Sequence, residues 1–172
     1  MGIIATDTGK VFVPAPEGLH RAVCVDAVDM GMQETGYGPK HKVRVIWQIP
    51  EEINPETQKP FQVSKFFTLS LNEQASLRKD LETWRGRKFT PEELKNGFDI
   101  EKLVGVNCQL QVIHNLSDDG KIWANVQAVI PAAKGLPALR SQDYVRMKDR
   151  PTTYMSGTTP NANSTFEEPL PF

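Results

Sequence analysis

Strand-like alternation of apolar and polar residues, interrupted once by helix start signals, limits what this chain can become more than any other feature. Leu19, Arg21, Val23, Val25 and Ala27 alternate with His20, Ala22, Cys24, Asp26 and Val28. Successive side chains of a strand point to opposite faces, so this valine-rich period of two predicts a strand over 19–30. Residues 31–39 hold three glycines and one aromatic and read as a loop. A second strand is predicted over 40–49, with His41, Val43, Val45, Trp47 and Ile49 on one face and Lys40, Lys42, Arg44, Ile46 and Gln48 on the other. Residues 50–61 carry three prolines and three glutamates and read as a long exposed loop. A third strand is predicted over 62–71, where Val63, Lys65, Phe67, Leu69 and Leu71 alternate with Gln62, Ser64, Phe66, Thr68 and Ser70.

The pattern then changes. Ser70 and Glu73 have capping-box spacing, and Leu77, Leu81 and Trp84 form one apolar stripe at helical spacing. Gly86 follows as a stop signal, and Thr90-Pro91-Glu92-Glu93 is a second capping box with proline in the first helical position. A helical turn over 99–104 starts at Asp99 and stops at Gly105. Strand signals return over 106–116, with Val106, Cys108, Leu110 and Val112 inward. Ser117-Asp118-Asp119-Gly120 reads as a hairpin loop. The last strand, over 122–130, sets Ile122, Ala124, Val126 and Ala128 against Trp123, Asn125 and Gln127, and Pro131 ends it. Three strands, a helical insertion and two strands is the order of an OB-fold, a mainly β, five-stranded Greek-key barrel with a helix between strands three and four. An SH3-like or other small β-barrel shares the pattern. The expected organisation is an N-terminal arm over 1–18 with a short strand at 10–13, a barrel over 19–131, a basic segment and linker over 132–165, and an acidic tip over 166–172. Residues 132–150 lack periodicity and read as loosely packed. The Thr-, Asn- and Pro-rich run 151–165 reads as disordered.

A length of 172 residues suits one domain with tails, and that core needs no disulfide staple. No apolar run approaches a membrane span, and the first residues lack the basic flank of a secretory signal. Cys24 and Cys108 sit in apolar surroundings with no CxxC, which favours buried free thiols in a reducing cytosol over a metal or redox site. Residues 1–150 hold all 20 Lys and Arg and 19 of the 21 acids; Glu167 and Glu168 are the other two. Such a balance argues against indiscriminate duplex binding and leaves room for a local basic track.

Lys40, Lys42 and Arg44 supply that track. Their spacing lines up three cations about 7 Å apart on one strand face, near the repeat of an extended single strand of nucleic acid. Lys65 and Lys121 are candidates to extend it; the plainer reading is a solvated sheet face. Single strands also need flat platforms for unpaired bases. Phe66 and Trp123 lie among polar residues of their strands and Tyr37 lies in the glycine-rich loop, so these three are candidate stackers, with burial under a loop as the alternative. Trp47, Phe67 and Trp84 lie on apolar stripes and read as core. No phosphate-binding loop, dinucleotide fingerprint, His/Cys ligand spacing or nucleophile–base pair is present. No enzyme activity, metal or cofactor is expected.

The final residues, Glu167-Glu168-Pro169-Leu170-Pro171-Phe172, resemble the acidic C-terminal tip of the bacterial single-stranded DNA-binding protein family: acids, an aliphatic residue, proline and a terminal phenylalanine, placed after a linker. The tip carries two glutamates where that family has a longer aspartate run, and Leu170 where isoleucine is usual. The body, including RKDLETWRGRKFTPEEL and KLVGVNCQLQVIHN, is similar to uncharacterised phage and prophage proteins with single-stranded DNA-binding roles. The resemblance implies a phage or prophage replication or recombination module in the bacterial cytoplasm, with homo-oligomerisation left open. It also implies that Phe172 enters an apolar pocket on a replication, recombination or repair protein while Glu167, Glu168 and the α-carboxylate meet a basic rim. An interaction adaptor on an OB-like barrel, or an unrecognised enzyme such as a nuclease subunit, are the alternatives. The same acids are suited to compete with DNA for the basic groove. Deleting 166–172 is therefore expected to tighten single-strand binding at low salt, read by titration of the full and shortened chains.

Overall fold

The computed structural model describes Ala5 and residues 12–150. The linker 151–165 and the tip 166–172 lie outside the described residues, as does half of the strand expected at 10–13. Phe12 and Val13, its described part, are not in a strand.

The architecture is mainly β. Strands β1 (Gly18–Thr35), β2 (Gly38–Ile53) and β3 (Pro60–Thr68) precede helices α1 (Ser76–Arg85) and α2 (Pro91–Asn96) and a 3-10 turn at Ile100–Leu103. Strands β4 (Asn107–Leu116) and β5 (Ile122–Pro131) follow, and a 3-10 turn at Met147–Asp149 comes near the end of the described chain. All five strands form one open antiparallel sheet in the order β3-β2-β1-β4-β5. The long β1 is shared: Gly18–Val23 pairs with β4, and Val23–Thr35 pairs with β2. Bulges interrupt β1 between Cys24 and Asp26 and between Asp29 and Gly31. A bulge bends its strand and increases the local twist. The sheet curls until β3 and β5 approach within 8 Å between Cα atoms. Among the described residues no helix is long and apolar enough to cross a membrane.

The strands run further into the predicted loops than their composition indicates. β1 and β2 pair as far as Thr35 and Gly38. The glycines expected to make a loop serve a bulge and a tight turn instead. Gly31 takes a φ of 66° and donates its N–H to Asp29 Oδ1, while Thr35 Oγ1 bonds Gly38 O and Tyr37 N. The predicted loop 50–61 shrinks to a turn closed by Asn54 N–H to Lys59 O. β3 stops at Thr68 rather than at 71.

The first capping box does not form. Ser70 Oγ accepts from Asn72 N and Asn72 Oδ1 accepts from Gln74 N, so these side chains close successive local turns. Helix α1 starts later, after Ala75 and without a side-chain cap. The second box forms in both halves, Thr90 Oγ1 accepting from Glu93 N and Glu93 Oε1 from Thr90 N. Asp99 caps the next turn through Glu101 N.

The main core lies between the concave face of the sheet and α1. The α1 stripe Leu77, Leu81 and Trp84 is buried, and the Trp84 ring meets Trp47 at 5.9 Å between centroids. Val43, Val45, Trp47, Ile49 and Phe67 bury the face of β2 and β3 that alternation predicts; Cys108, Leu110 and Val112 do so for β4. In β5 a register shift opposite Gln111–Val112 breaks the alternation. Val126 and Val129 are buried, in place of the Val126–Ala128 pair expected. Cys24 and Cys108 are buried free thiols, their pKa values pushed up by burial.

Residues 132–150 are irregular and mostly exposed, as expected of them, yet they are fastened to the sheet. They form a strap across the outer face of β1. Leu139 and Tyr144 pack on Val23, Val25 and Ile46, which explains why both faces of β1 are buried there. Two reciprocal side-chain-to-backbone pairs fasten the strap: Asn107 with the backbone of Leu139 (2.6 and 2.9 Å) and Gln48 with that of Gln142 (2.6 and 2.7 Å). The third fastening is Asp26, only 1% exposed, whose carboxylate accepts from Tyr144 OH (2.7 Å), Met147 N (2.8 Å) and Arg146 Nε (3.1 Å). Arg146 also reaches Glu101 at 2.7 Å.

Burial pushes the Asp26 carboxyl up. The bonds from Met147, Tyr144 and Arg146, with the charge of Arg146, outweigh that and hold it below the usual carboxylate range. A folded-state pKa below the unfolded one stabilises at all pH above the unfolded value and loses that contribution as pH falls through the folded value. Asp26→Asn is expected to cost about 1.5–3 kcal/mol at neutral pH, the worth of hydrogen bonds to a charged group. Urea unfolding checks this, and the gap from the parent chain is expected to narrow below the usual carboxylate range.

Candidate nucleic-acid interface

Regular alternation along β2 places Lys40, Lys42, Arg44, Ile46 and Gln48 on its outer face. The register with β3 sets Lys42 opposite Thr68 and Arg44 opposite Phe66. Lys42 Nζ donates to Thr68 Oγ1 at 2.6 Å and Arg44 Nε to Ser64 Oγ at 3.2 Å. The Arg44 guanidinium lies 5.5 Å from the centre of the Phe66 ring. Phe66 is 58% exposed. A large aromatic surface is thus held in water beside a planar cation, with hydroxyls steering the cations on either side.

Beyond Thr68 the sheet narrows to a two-stranded ribbon of β1 and β2. Tyr37 occupies its tip and is the most exposed large hydrophobic residue described, at 93%. Lys40 is exposed on the same ribbon. At its root Asp29 accepts from Gly31 N and meets His41 Nε2 at 2.6 Å, and these two partners, Gly31 foremost, lower its pKa. Together they pin the second bulge of β1, from which the ribbon projects.

The other sequence candidates are placed elsewhere. Lys65 points to the opposite face of β3, where Nζ pairs with Asp80 of α1 at 2.6 Å and lies 5.2 Å from the Phe67 ring centre. Its even spacing from Val63 and Phe67 dictates that side. Lys121 stands at the β4–β5 turn, 4.0 Å from Asp119. Trp123 pairs with Asn115 at the far end of β4, beyond the Val112 that meets Gly18. Arg44 lies at the Val28 level of β1, about 33 Å of strand contour from Gly18 at ~3.3 Å per residue. The Trp123 ring is 46% exposed and partly covered by Phe12, with centroids 5.3 Å apart.

Two residues of the strap that the sequence did not single out add a ring and a cation to the outer face. Tyr144 stands on the same outer face, and Arg150 lies over its ring at 5.3 Å. Burial and the hydrogen bond to Asp26 push the Tyr144 hydroxyl up to about 12, so it remains a donor at neutral pH. The one available clue was Asp26 itself. A carboxylate between Val25 and Ala27 in an apolar strand demands donors from another part of the chain. Among the described residues no three His, Cys, Asp or Glu side chains are grouped to hold a metal ion.

No protein-family model matches this chain, and a search of curated proteins finds no match either. The site is therefore read from its own chemistry. Trp47 and Trp84 are 1% and 4% exposed, whereas Trp123 is exposed. Iodide is expected to quench mainly the Trp123 fluorescence, and Trp123→Phe is expected to remove most of the quenchable signal.

Proposed function

We propose that this chain is an OB-fold single-stranded DNA-binding protein that recruits replication, recombination and repair proteins through its acidic C-terminal tip. The fold reading is supported by a central β1 shared between β2 and β4, by the approach of β3 to β5, and by α1 lying between β3 and β4 in the chain. An OB barrel takes oligonucleotides across its second and third strands, between its first and last hairpin loops. The observation that carries the functional reading is the outer row Lys42, Arg44 and Phe66 on β2 and β3.

Lys40, Lys42 and Arg44 neutralise successive phosphates and release their counterions, which makes binding strongly salt-dependent. Phe66 offers an exposed ring to an unpaired base, and Tyr37 offers another at the ribbon tip. Stacking accepts any base, so sequence preference is small. A duplex hides its base faces and cannot use these rings. Trp123 and Lys121, at the β4–β5 end, belong to a second contact region of the same strand rather than to the Arg44–Phe66 group. Binding, not bond-breaking, is the activity. The tip, outside the described residues, carries the recruiting role by its chemistry: two acids, a terminal carboxylate and Phe172.

The alternative is an interaction adaptor whose basic face is incidental. It is favoured by Leu116 and Ile122, which face one another at the end of the β4–β5 hairpin and are both exposed. Fluorescence anisotropy of labelled oligo-dT at two salt concentrations, with duplex DNA as control, separates the two. The expected result is salt-sensitive binding of the single strand alone. Phe66→Ala is expected to weaken it by about 1–3 kcal/mol, and Arg44→Ala to reduce the salt slope by about one. Absence of single-strand binding at low salt removes the proposal and leaves the adaptor.

A further inference from the structure

We infer that the strap is a second wall of the binding face, with Tyr144 and Arg150 contacting the same nucleic-acid strand as Arg44 and Phe66. This rests on the single-strand-binding reading above. Asp26 pairs with Ile46, and Val28 with Arg44, in neighbouring register positions of β1 and β2. Tyr144 bonds Asp26 and packs on Ile46, which sets it beside Arg44 on the outer face. The strap therefore stands along the basic row instead of on the far side of the sheet.

The chemistry repeats across the gap. Arg44 lies 5.5 Å from the Phe66 ring centre, and Arg150 lies 5.3 Å from that of Tyr144. Each unit joins a flat π-surface to a planar guanidinium that suits phosphate, the two elements a flexible single strand offers together. Anchoring the strap does not account for both members. The Tyr144 hydroxyl on Asp26, the Met147 amide and the Gln48 and Asn107 pairs hold it down. The exposed Arg150 makes only local contacts within the strap: its N–H to Met147 O, its Nε to Val145 O, and its guanidinium over the Tyr144 ring. The buried Asp26 carboxylate orients Tyr144 before any ligand arrives, so little ordering is left to pay for on binding. Asp26 is in this sense a positioning residue and touches no nucleic acid.

The test uses the full chain and 5-iododeoxyuridine-substituted oligo-dT. Irradiation of the complex is expected to yield an adduct on Tyr144, located by mass spectrometry. Tyr144→Leu keeps an apolar side chain on Val23 and Ile46 but removes the ring, and is expected to weaken binding about 5- to 100-fold. Arg150→Gln is expected to lower the salt slope by about one with an unchanged thermal unfolding midpoint, a result that a structural role does not give. If Tyr144→Leu fails to fold, the adduct on the parent chain and the Arg150→Gln slope decide. The inference is overturned, with the parent reading intact, if Arg44→Ala and Phe66→Ala weaken binding while Arg150→Gln leaves the slope unchanged and no adduct forms on Tyr144. If the parent chain binds no single strand, both fall.

Discussion

A carboxylate almost wholly removed from water organises the outer half of this molecule. Asp26 is buried in the middle of the longest strand, and a charge in such a place is tolerated only where donors surround it. The neighbouring Ala27 amide is one such donor, and Tyr144, Arg146 and the Met147 amide, all from the strap, are the others. The strap in turn covers Val23, Val25 and Ile46, an apolar patch that the sheet would otherwise expose. Charge satisfaction and apolar burial thus require the same docking. The irregular segment after β5 is part of the folded body for that reason, despite its lack of periodicity.

The bulges of β1 are the second constraint. The one at Cys24–Asp26 falls where β1 passes from pairing with β4 to pairing with β2, and it presents Asp26 to the strap. The one at Asp29–Gly31 falls where the sheet gives way to the projecting ribbon. Between them lies Val28, opposite Arg44. Arg44, with Phe66 opposite it on β3, and the Asp26 that holds the strap's Tyr144 fall in the stretch between the two bends, while Lys42 pairs with Gly31 at the second bend and Lys40 lies beyond it. The bulge at Cys24–Asp26 thus lets a residue 118 positions later in the chain bond Asp26.

Much of this was legible. Alternation along β2 assigned Lys42 and Arg44 to one face and Val43, Val45 and Trp47 to the other. The α1 stripe was right because Leu77, Leu81 and Trp84 have only one face to share. The Thr90–Glu93 box formed because its two bonds satisfy each other without outside help. Ser70 and Glu73 had the same spacing and failed, since Ser70 and Asn72 found nearer amides. Charge alone groups Lys65 with the other cations, but its even spacing from Val63 and Phe67 puts it on the other side. Alternation missed the β5 shift at Gln127 because a bulge leaves no mark in a period of two.

What the sequence determined by itself is therefore local: which segments extend, which coil, and which side chains share a face, because the pleat and the helical turn impose those repeats on neighbouring residues. The chemistry of the tip is legible in the same way, residue by residue. Tertiary structure alone decided which faces are covered. That Lys65 pairs with Asp80, that Trp123 packs against Phe12, and that Tyr144 bonds Asp26 all depend on contacts between distant segments. Such contacts are set by the curl of β1 and by the need of Asp26 for partners, neither of which repeats along the chain.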